Sequence, residues 1–256
     1  RLVGVTEPGR IIINMARDIL QKIGNIHQVG TEFSEESCGT LSIATTHTQA
    51  RYSLPPIIKK FTELYPEVRL QIHQGSSAQI SELAMSRMAD IAIATEAIGL
   101  SSELVILPCY KWNRCVVVPP GHPLTLKKEI TLANLAEYPI VTYDSAFTGR
   151  SKVHKAFDAY SLKPNVVLAA LDADVIKTYV ELGLGIGLMA EMAFDMERDA
   201  NLRAIDVSHL FEPSTTSIGL RRGSYLRGFT YAFIEMMAPH LTREVVNESM
   251  GHSVVN

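Results

Sequence analysis

The chain has 256 residues, 46% of them hydrophobic, and 24 basic against 27 acidic side chains give a formal net charge of −3 and a pI near 6.3. That is ample for a buried core in one or two domains, and it excludes strong nucleic-acid binding by a basic face of this stretch. Three cysteines without paired spacing, Cys38, Cys109 and Cys115, argue against a disulfide framework and fit a reducing cytoplasm, with Cys109 and Cys115 expected as buried or half-buried thiols; no apolar run is long enough to span a bilayer.

The opening Arg1-Leu2-Val3-Gly4 has neither an initiator methionine nor a signal-peptide pattern, so the chain is expected to begin within a longer protein. Thr6-Glu7-Pro8 supplies a capping hydroxyl, then an acid and a proline for a first helical turn. Ile12, Ala16, Ile19, Ile23, Ile26, Gly30 and Phe33 then recur at alternating four- and three-residue steps, a heptad-like seam that ends at Ser34-Glu35-Glu36-Ser37. A helix packed on its own domain would show some of this pattern. The length and the polar break favour an arm that pairs with another chain.

A strand–helix alternation begins after Cys38-Gly39. Residues 41–44 read as a strand, 54–65 as a helix, 68–73 as a strand, 78–88 as a helix opened by Gly75-Ser76-Ser77, and 89–94 as an apolar strand ending at Thr95-Glu96. This βαβαβ order implies a parallel sheet with helices on its faces, and ligands on such sheets bind beyond the carboxyl ends of the strands. There the sequence places Thr46, Thr48 and Gln49, Gly75 and Ser76, and Thr95. Thr46, Thr48 and Gln49 are expected in a loop between the first strand and a helix starting near Leu54-Pro55. Open amides and the positive end of a helix dipole make such a place an anion site. The same residues would also serve simply to cap the helix. Three polar strand ends converging on one edge favour binding, and neutral donors without a base or nucleophile point to holding an anion rather than transforming it.

A second alternation follows, with strands expected at 116–118, 140–143, 165–169 and 186–189 and helices at 132–137, 152–160 and 174–182. The loop Asp144-Ser145-Ala146-Phe147-Thr148-Gly149-Arg150-Ser151 opens a helix with Thr148-Gly149 much as Thr48-Gln49 does. A late helix at 229–238 is expected to return to the first half. Two α/β lobes joined by crossing segments make a cleft that closes on a small ligand. Trp112 lies in the presumed crossing segment Lys111-Trp112-Asn113-Arg114, as hinge packing or as a wall of the cleft.

Enzyme signatures are weak. Gly183-Leu184-Gly185-Ile186-Gly187 follows a helix and precedes a strand, the reverse of a dinucleotide fingerprint, and reads as a tight turn. There is no GxSxG, HExxH or Walker A spacing. His47 lacks a partner serine and carboxylate pattern and is expected to make backbone contacts. Asp172 and Asp174 are close enough in sequence to pair as acids, but Asp174 stands where a helix N-cap belongs. No metal site, cofactor or catalytic residue is assigned.

With these residues in hand, the chain resembles a LysR-type transcriptional regulator, and within that family the CysB branch. The stretches that carry the likeness are Ala44-Thr45-Thr46-His47-Thr48-Gln49-Ala50-Arg51-Tyr52, Ala89-Asp90-Ile91-Ala92-Ile93-Ala94-Thr95-Glu96-Ala97 and Leu107-Pro108-Cys109-Tyr110-Lys111-Trp112-Asn113-Arg114. Phe147-Thr148-Gly149-Arg150-Ser151, the run 172–180 and Ala238-Pro239-His240-Leu241-Thr242 match as well, and residues 2–9 resemble the end of the family's winged helix-turn-helix. The resemblance implies an α/β fold of two Rossmann-like lobes with a cleft between them, like periplasmic binding proteins, preceded by a long linker helix. It implies these divisions: 1–37 as the end of the winged helix-turn-helix with the oligomerising helix, 38–110 and 217–243 as lobe I, 111–216 as lobe II, and 244–256 as a tail. It further implies a cytoplasmic, non-enzymatic homodimer or homotetramer that binds DNA through an N-terminal domain absent from this chain. The effector would be acetylserine, sulfate or thiosulfate, controlling genes of sulfur assimilation and cysteine synthesis. The branch's anion contacts map to Thr46, Thr48, Gln49, Thr95 and Thr148, with Ser76 added from the strand-end argument. The sister Cbl branch, which answers to other sulfur metabolites, is the nearest alternative. A periplasmic-type solute-binding protein is another, but the heptad arm at 6–33 and the missing signal peptide speak against it.

Overall fold

The computed structural model describes residues 4–34, 38–95, 102–144 and 150–251. The expected first helix forms as α1, Glu7–Ser34, where the Gly9 amide donates to Thr6 Oγ1 at 3.3 Å and the Arg10 amide to the Thr6 carbonyl at 2.9 Å. Its apolar surface is bare: Ile12, Ile19, Ile23 and Ile26 are exposed, and so are Ile11, Ile13, Met15 and Leu20 outside the seam. The side chain of Phe33 lies outside those described. The helix is tied to the body by Asn25, whose amide donates to Gly223 O at 2.9 Å and accepts from the Tyr225 amide at 3.2 Å. Arg87 adds a bond to Leu20 O at 3.2 Å.

The expected βαβαβ unit is present as β1 (Gly39–Thr45), α2 (Leu54–Leu64), β2 (Val68–Gln74), α3 (Ser77–Met85) and β3 (Ile91–Thr95), with β1 parallel to both β2 and β3. Alternating apolar residues drive the strands. Leu41, Ile43, Ile91 and Ile93 enter one core with Phe61 of α2, while Ala44, Ala92 and Ala94 leave room on the other face for Ile80 and Ala84 of α3. Two strands of this sheet were not expected, and neither was β9 (Arg203–Asp206) of the second. β4 (Leu104–Trp112) forms the edge of this sheet, and β10 (Ser214–Arg221) runs antiparallel between it and β3, giving the order β2-β1-β3-β10-β4. The presumed crossing segment is therefore shorter than expected. Lys111 and Trp112 end β4, Arg114 begins β5 (Arg114–Val118), and only Asn113 lies between the strands. The late helix does pack on the first sheet, as α7 (Gly228–Met237), with the Phe233 ring edge-on to Phe61 at 5.4 Å, and α8 (Arg243–Met250) adds Val246 and Met250 to the same core.

The second sheet has the order β7-β6-β8-β5-β9, in which β6 (Ile140–Tyr143), β7 (Val166–Ala170) and β8 (Ile186–Ala190) are parallel and β9 is Arg203–Asp206. Around it lie α4 (Leu132–Ala136), α5 (Arg150–Ala159) and α6 (Ala173–Glu181). The glycine run 183–187 makes the expected turn. Gly183 sits at φ +81° just past α6, and the amides of Gly183 and Leu184 return to Val180 O and Tyr179 O, so the orphan carbonyls of the helix end are satisfied. Gly187 lets α6 lie on the sheet, since a Cβ there would come within 2.5–3.0 Å of Val117, Val180 and Ile176.

Candidate functional site

The segment after β1 reaches the carboxyl ends of the parallel strands in the second sheet, where Tyr52 bonds to Asp174 beyond β7 and Ser53 to Met192 beyond β8. Here the structure corrects the expected loop. The helix begins at His47, not near Leu54, and widens into a π-turn over Gln49–Ser53 before continuing as α2. The cause is local. Pro55 and Pro56 have no amide hydrogen to return to the carbonyls of Arg51 and Tyr52, so the ordinary i→i−4 ladder is interrupted, and the Leu54 amide bonds back to Gln49 O instead. Thr48 and Gln49 thus lie in the first turn itself. Ala50 is the first residue whose amide finds a helical acceptor, Thr46 O at 3.0 Å, and the open amides of His47, Thr48 and Gln49 precede it.

Thr46, Thr48, Gln49 and Thr95 are all buried, at 5, 6, 1 and 3% exposure, and carry no charge. The structure joins most of them. Gln49 Nε2 donates to Thr216 Oγ1 at 3.0 Å, and Thr216 is the β10 residue paired with Thr95 of β3. Tyr110 of β4 donates to Gln49 Oε1 and lies 2.8 Å from Ser53 Oγ. Both ends of the Gln49 amide are therefore engaged within the first lobe. Thr48 lies beside Tyr143, the last residue of β6 in the other lobe. Burial pushes the Tyr143 phenol well above its ordinary pKa, only partly offset by the Ala190 amide and Thr48. The Ala190 N–H donates to the Tyr143 oxygen at 3.3 Å.

Ser76 is half-buried and caps α3: its Oγ accepts from the Gln79 amide at 3.3 Å, and its own amide donates to Gln79 Oε1 at 2.9 Å. Beside it the hydroxyls of Thr45 and Ser77 are buried without a partner among the described residues. Trp112 is 7% exposed and lies under the Arg114 guanidinium at 5.3 Å from the ring centre; it faces Ser214 across the strands, and its indole N–H and the Ser214 hydroxyl also lack partners among the described residues. Thr148 lies outside the described residues. Tyr110, Thr216 and Tyr143 were missed in the sequence, the first two because they lie on the unexpected strands.

Asp172, not Asp174, is the N-cap of α6, accepting from the Val175 amide at 2.9 Å. Asp174 instead takes Tyr52 Oη at 2.8 Å and Arg51 Nε at 2.6 Å from the first lobe, with Lys177 Nζ at 3.4 Å. Burial opposes its charge, but Tyr52, Lys177 and Arg51 outweigh that and hold its carboxyl below the usual range. His47 does not make the expected backbone contacts. It stands by Asp172 and Asp174, with ligand-type atoms of the three within 4.8 Å of one another and no partner for its Nδ1 among the described residues, yet both carboxylates are already committed to caps and ion pairs.

Cys109 and Cys115 are buried as expected, and burial pushes both thiols up to about 12, far from a nucleophile at neutral pH. A Ser–His contact does occur, with His73 Nε2 3.0 Å from Ser42 Oγ, but that hydroxyl sits in mid-strand and donates to Met88 O at 2.8 Å. No helix among the described residues is long and apolar enough to cross a membrane.

Two α/β lobes meeting at the carboxyl ends of their strands, with buried neutral donors and a helix N-terminus at the junction, define a two-lobed ligand-binding domain of the periplasmic-binding-protein type. Comparison with known proteins agrees. The family model for the LysR substrate binding domain matches residues 34–242, and the chain belongs to that family. It is similar to the HTH-type transcriptional regulator SsuR of Burkholderia cenocepacia, with 50% identity over 241 residues covering 94% of this chain and 78% of that protein. It is similar to the regulator CysB of the same organism, with 49% identity over 250 residues covering 98% and 80%. The crystal structure of the cofactor-binding domain of the Cbl transcriptional regulator superposes with a TM-score of 0.82 at 44% identity, covering 85% of this chain and 96% of that one. The chain is the effector-binding domain of a LysR-type transcriptional regulator in the neighbourhood of CysB and Cbl, not an enzyme.

Proposed function

We propose that this domain senses acetylserine or a sulfate-like anion such as sulfate or thiosulfate in the interlobe cleft, and so sets the transcription of sulfur-assimilation and cysteine-synthesis genes. The observation that carries the reading is the helix start at His47, where three open amides and the buried hydroxyls of Thr46, Thr48 and Thr95 gather at one strand edge without a fixed charge. Hydrogen bonds to an ionised group are worth roughly 1.5–3 kcal/mol each, enough for neutral donors to hold a dianion when several are aimed at it. The unpartnered hydroxyls of Thr45 and Ser77 supply further donors at that edge. Gln49 contributes through its backbone amide while its side chain braces the turn, and Thr148 closes on the ligand from the second lobe.

The 49% identity to a CysB supports this reading, and the 44% identity to the Cbl domain supports a Cbl-type effector as the alternative. The lobes divide at Asn113 and just before Ser214, a few residues from the expected 110 and 217, and α8 belongs to the first lobe instead of forming a tail. The exposed isoleucines of α1 are covered by a second copy in a dimer or tetramer, and the regulator works in the cytoplasm, reading DNA through the winged helix-turn-helix of its family. Calorimetric titration with acetylserine, sulfate and thiosulfate tests the proposal. Saturable binding of at least one is expected, and no binding by any of the three at millimolar concentration overturns it.

A further inference from the structure

The cleft residues do not explain why the π-turn after β1 carries Arg51 and Tyr52 across to the other lobe. Tyr52 is seated in a socket there. Its hydroxyl donates to Asp174 Oδ1 at 2.8 Å, its ring centre lies 5.3 Å from Lys177 Nζ and 5.7 Å from the Arg51 guanidinium, and it packs against the core that contains Tyr143, Ala173 and Ile176. Arg51 Nε pairs with the second oxygen of the same carboxylate at 2.6 Å. The next residue, Ser53, donates to Met192 Sδ at 3.2 Å. The socket is rigid on its own account, because Lys177 is fixed by Asp199 at 3.0 Å and by Ala193 O at 3.1 Å, all within the second lobe. The remaining covalent ties between the sheets are the single residue Asn113 and the stretch before Ser214.

We infer that Arg51 and Tyr52, held by Asp174, form a latch that keeps the lobes together and passes their separation to the binding turn. The mechanical link is the π-turn itself. Gln49 stands at one end, braced by Thr216 and Tyr110, and Tyr52 stands three residues on, braced by Asp174. π-turns are marginal relative to the α-helix and recur at functional sites. Withdrawing Tyr52 from its socket must either drag Gln49 and Thr48 with it or rewind the turn. The latch biases the lobes toward the arrangement in which Thr48 meets Tyr143, and any ligand that needs both lobes binds more tightly by the population it finds ready. That second effect rests on the cleft reading proposed above; the first does not.

The test uses the full chain with Cys38→Ser and nitroxide labels at Lys59→Cys on α2 and Glu181→Cys at the end of α6, both exposed positions. Inter-label distances are measured by double electron–electron resonance without ligand for the parent, Tyr52→Phe, Asp174→Asn and Arg51→Ala/Tyr52→Phe. The latch predicts a longer or broader distribution in the variants, largest in the double variant. Tyr52→Phe keeps the ring and Arg51 is half-exposed, so folding is retained, as an unchanged circular dichroism spectrum would verify. Unchanged distances in all three variants overturn the latch. With sulfate added, the variants should return toward the parent distance and show roughly two- to fivefold weaker binding, the factor expected if the closed population falls from nearly all to between a half and a fifth. If the distances shift but the parent binds none of the three proposed effectors, the latch stands and the effector reading fails.

Discussion

Thr48→Val tests the anion reading at the level of a single hydrogen. Valine keeps the branched shape of threonine, so the first turn and its contact with the second lobe are preserved in outline. What is lost is a buried hydroxyl beside Tyr143 with a hydrogen to give to a ligand. Losing a neutral hydroxyl in this buried setting costs about 0.5–1.5 kcal/mol of stability, a fall in Tm of roughly 1–6 °C for a chain of this size. Losing a donor to a charged ligand costs about 1.5–3 kcal/mol, roughly ten- to hundredfold in affinity. The two effects separate by assay. Thermal unfolding without ligand reads the first, and calorimetric titration with sulfate or thiosulfate reads the second. Thr48→Ser keeps the hydroxyl and should stay within about threefold of the parent, well under the loss of one such bond. Parent-like affinity in Thr48→Val, or an equal loss in Thr48→Ser, would refute the donor role, and unchanged affinity across substitutions at Thr46, Thr48 and Gln49 would place the site elsewhere.

Lysines at Ile19 and Ile23 should weaken assembly, because both side chains are exposed on α1; sedimentation velocity at micromolar concentration checks this, and a monomeric parent would contradict the seam. Ser161→Gly should stabilise the chain by about 0.5–1 kcal/mol, since Ser161 is exposed at φ +54° in the left-handed position just past α5; an unchanged or lower denaturation midpoint counts against it. The Asp174 carboxyl is held below its ordinary value, so its contribution is present above the unfolded pKa near 3.9 and is lost as pH falls through the folded pKa. Asp174→Asn should therefore flatten the loss of stability below about pH 4, which acid titration of unfolding reads directly.

What was legible in the sequence was whatever local periodicity determines. The run β1-α2-β2-α3-β3 was readable because each strand alternates or is uniformly apolar, and each helix has a turn or cap before it. β4 and β10 were not. Ser214 to Ser217 are all hydroxyl-bearing, and β4 contains Pro108 and a break in register near Cys109, where Tyr110 pairs with Thr216 but Pro108 pairs with Ser217. A proline without an amide and a bulge erase the two-residue pattern, and the pairing joins residues about a hundred apart, which no window sees. Tyr110 and Thr216 stayed hidden with them. The helix start at His47 was missed because Leu54-Pro55-Pro56 imitates a fresh N-terminus, while the turn before it is π-helical. Asp174 drew the cap assignment from Asp172 because both precede the same apolar stripe, and only the partner lobe shows that Asp174 faces Arg51 and Tyr52.

The central claim is that a sulfate-like anion sits on the amides opened at His47. Selenate, a sulfate isostere with a strong anomalous signal, locates it directly in crystals equilibrated near the dissociation constant measured in solution. The account predicts one anomalous peak between the lobes, within hydrogen-bonding distance of the first-turn amides and the Thr48 hydroxyl, and its loss in Thr48→Val crystals under the same conditions. A peak on the outer surface only, or an occupied cleft in which the anion meets charged side chains and not the His47 turn, would contradict it.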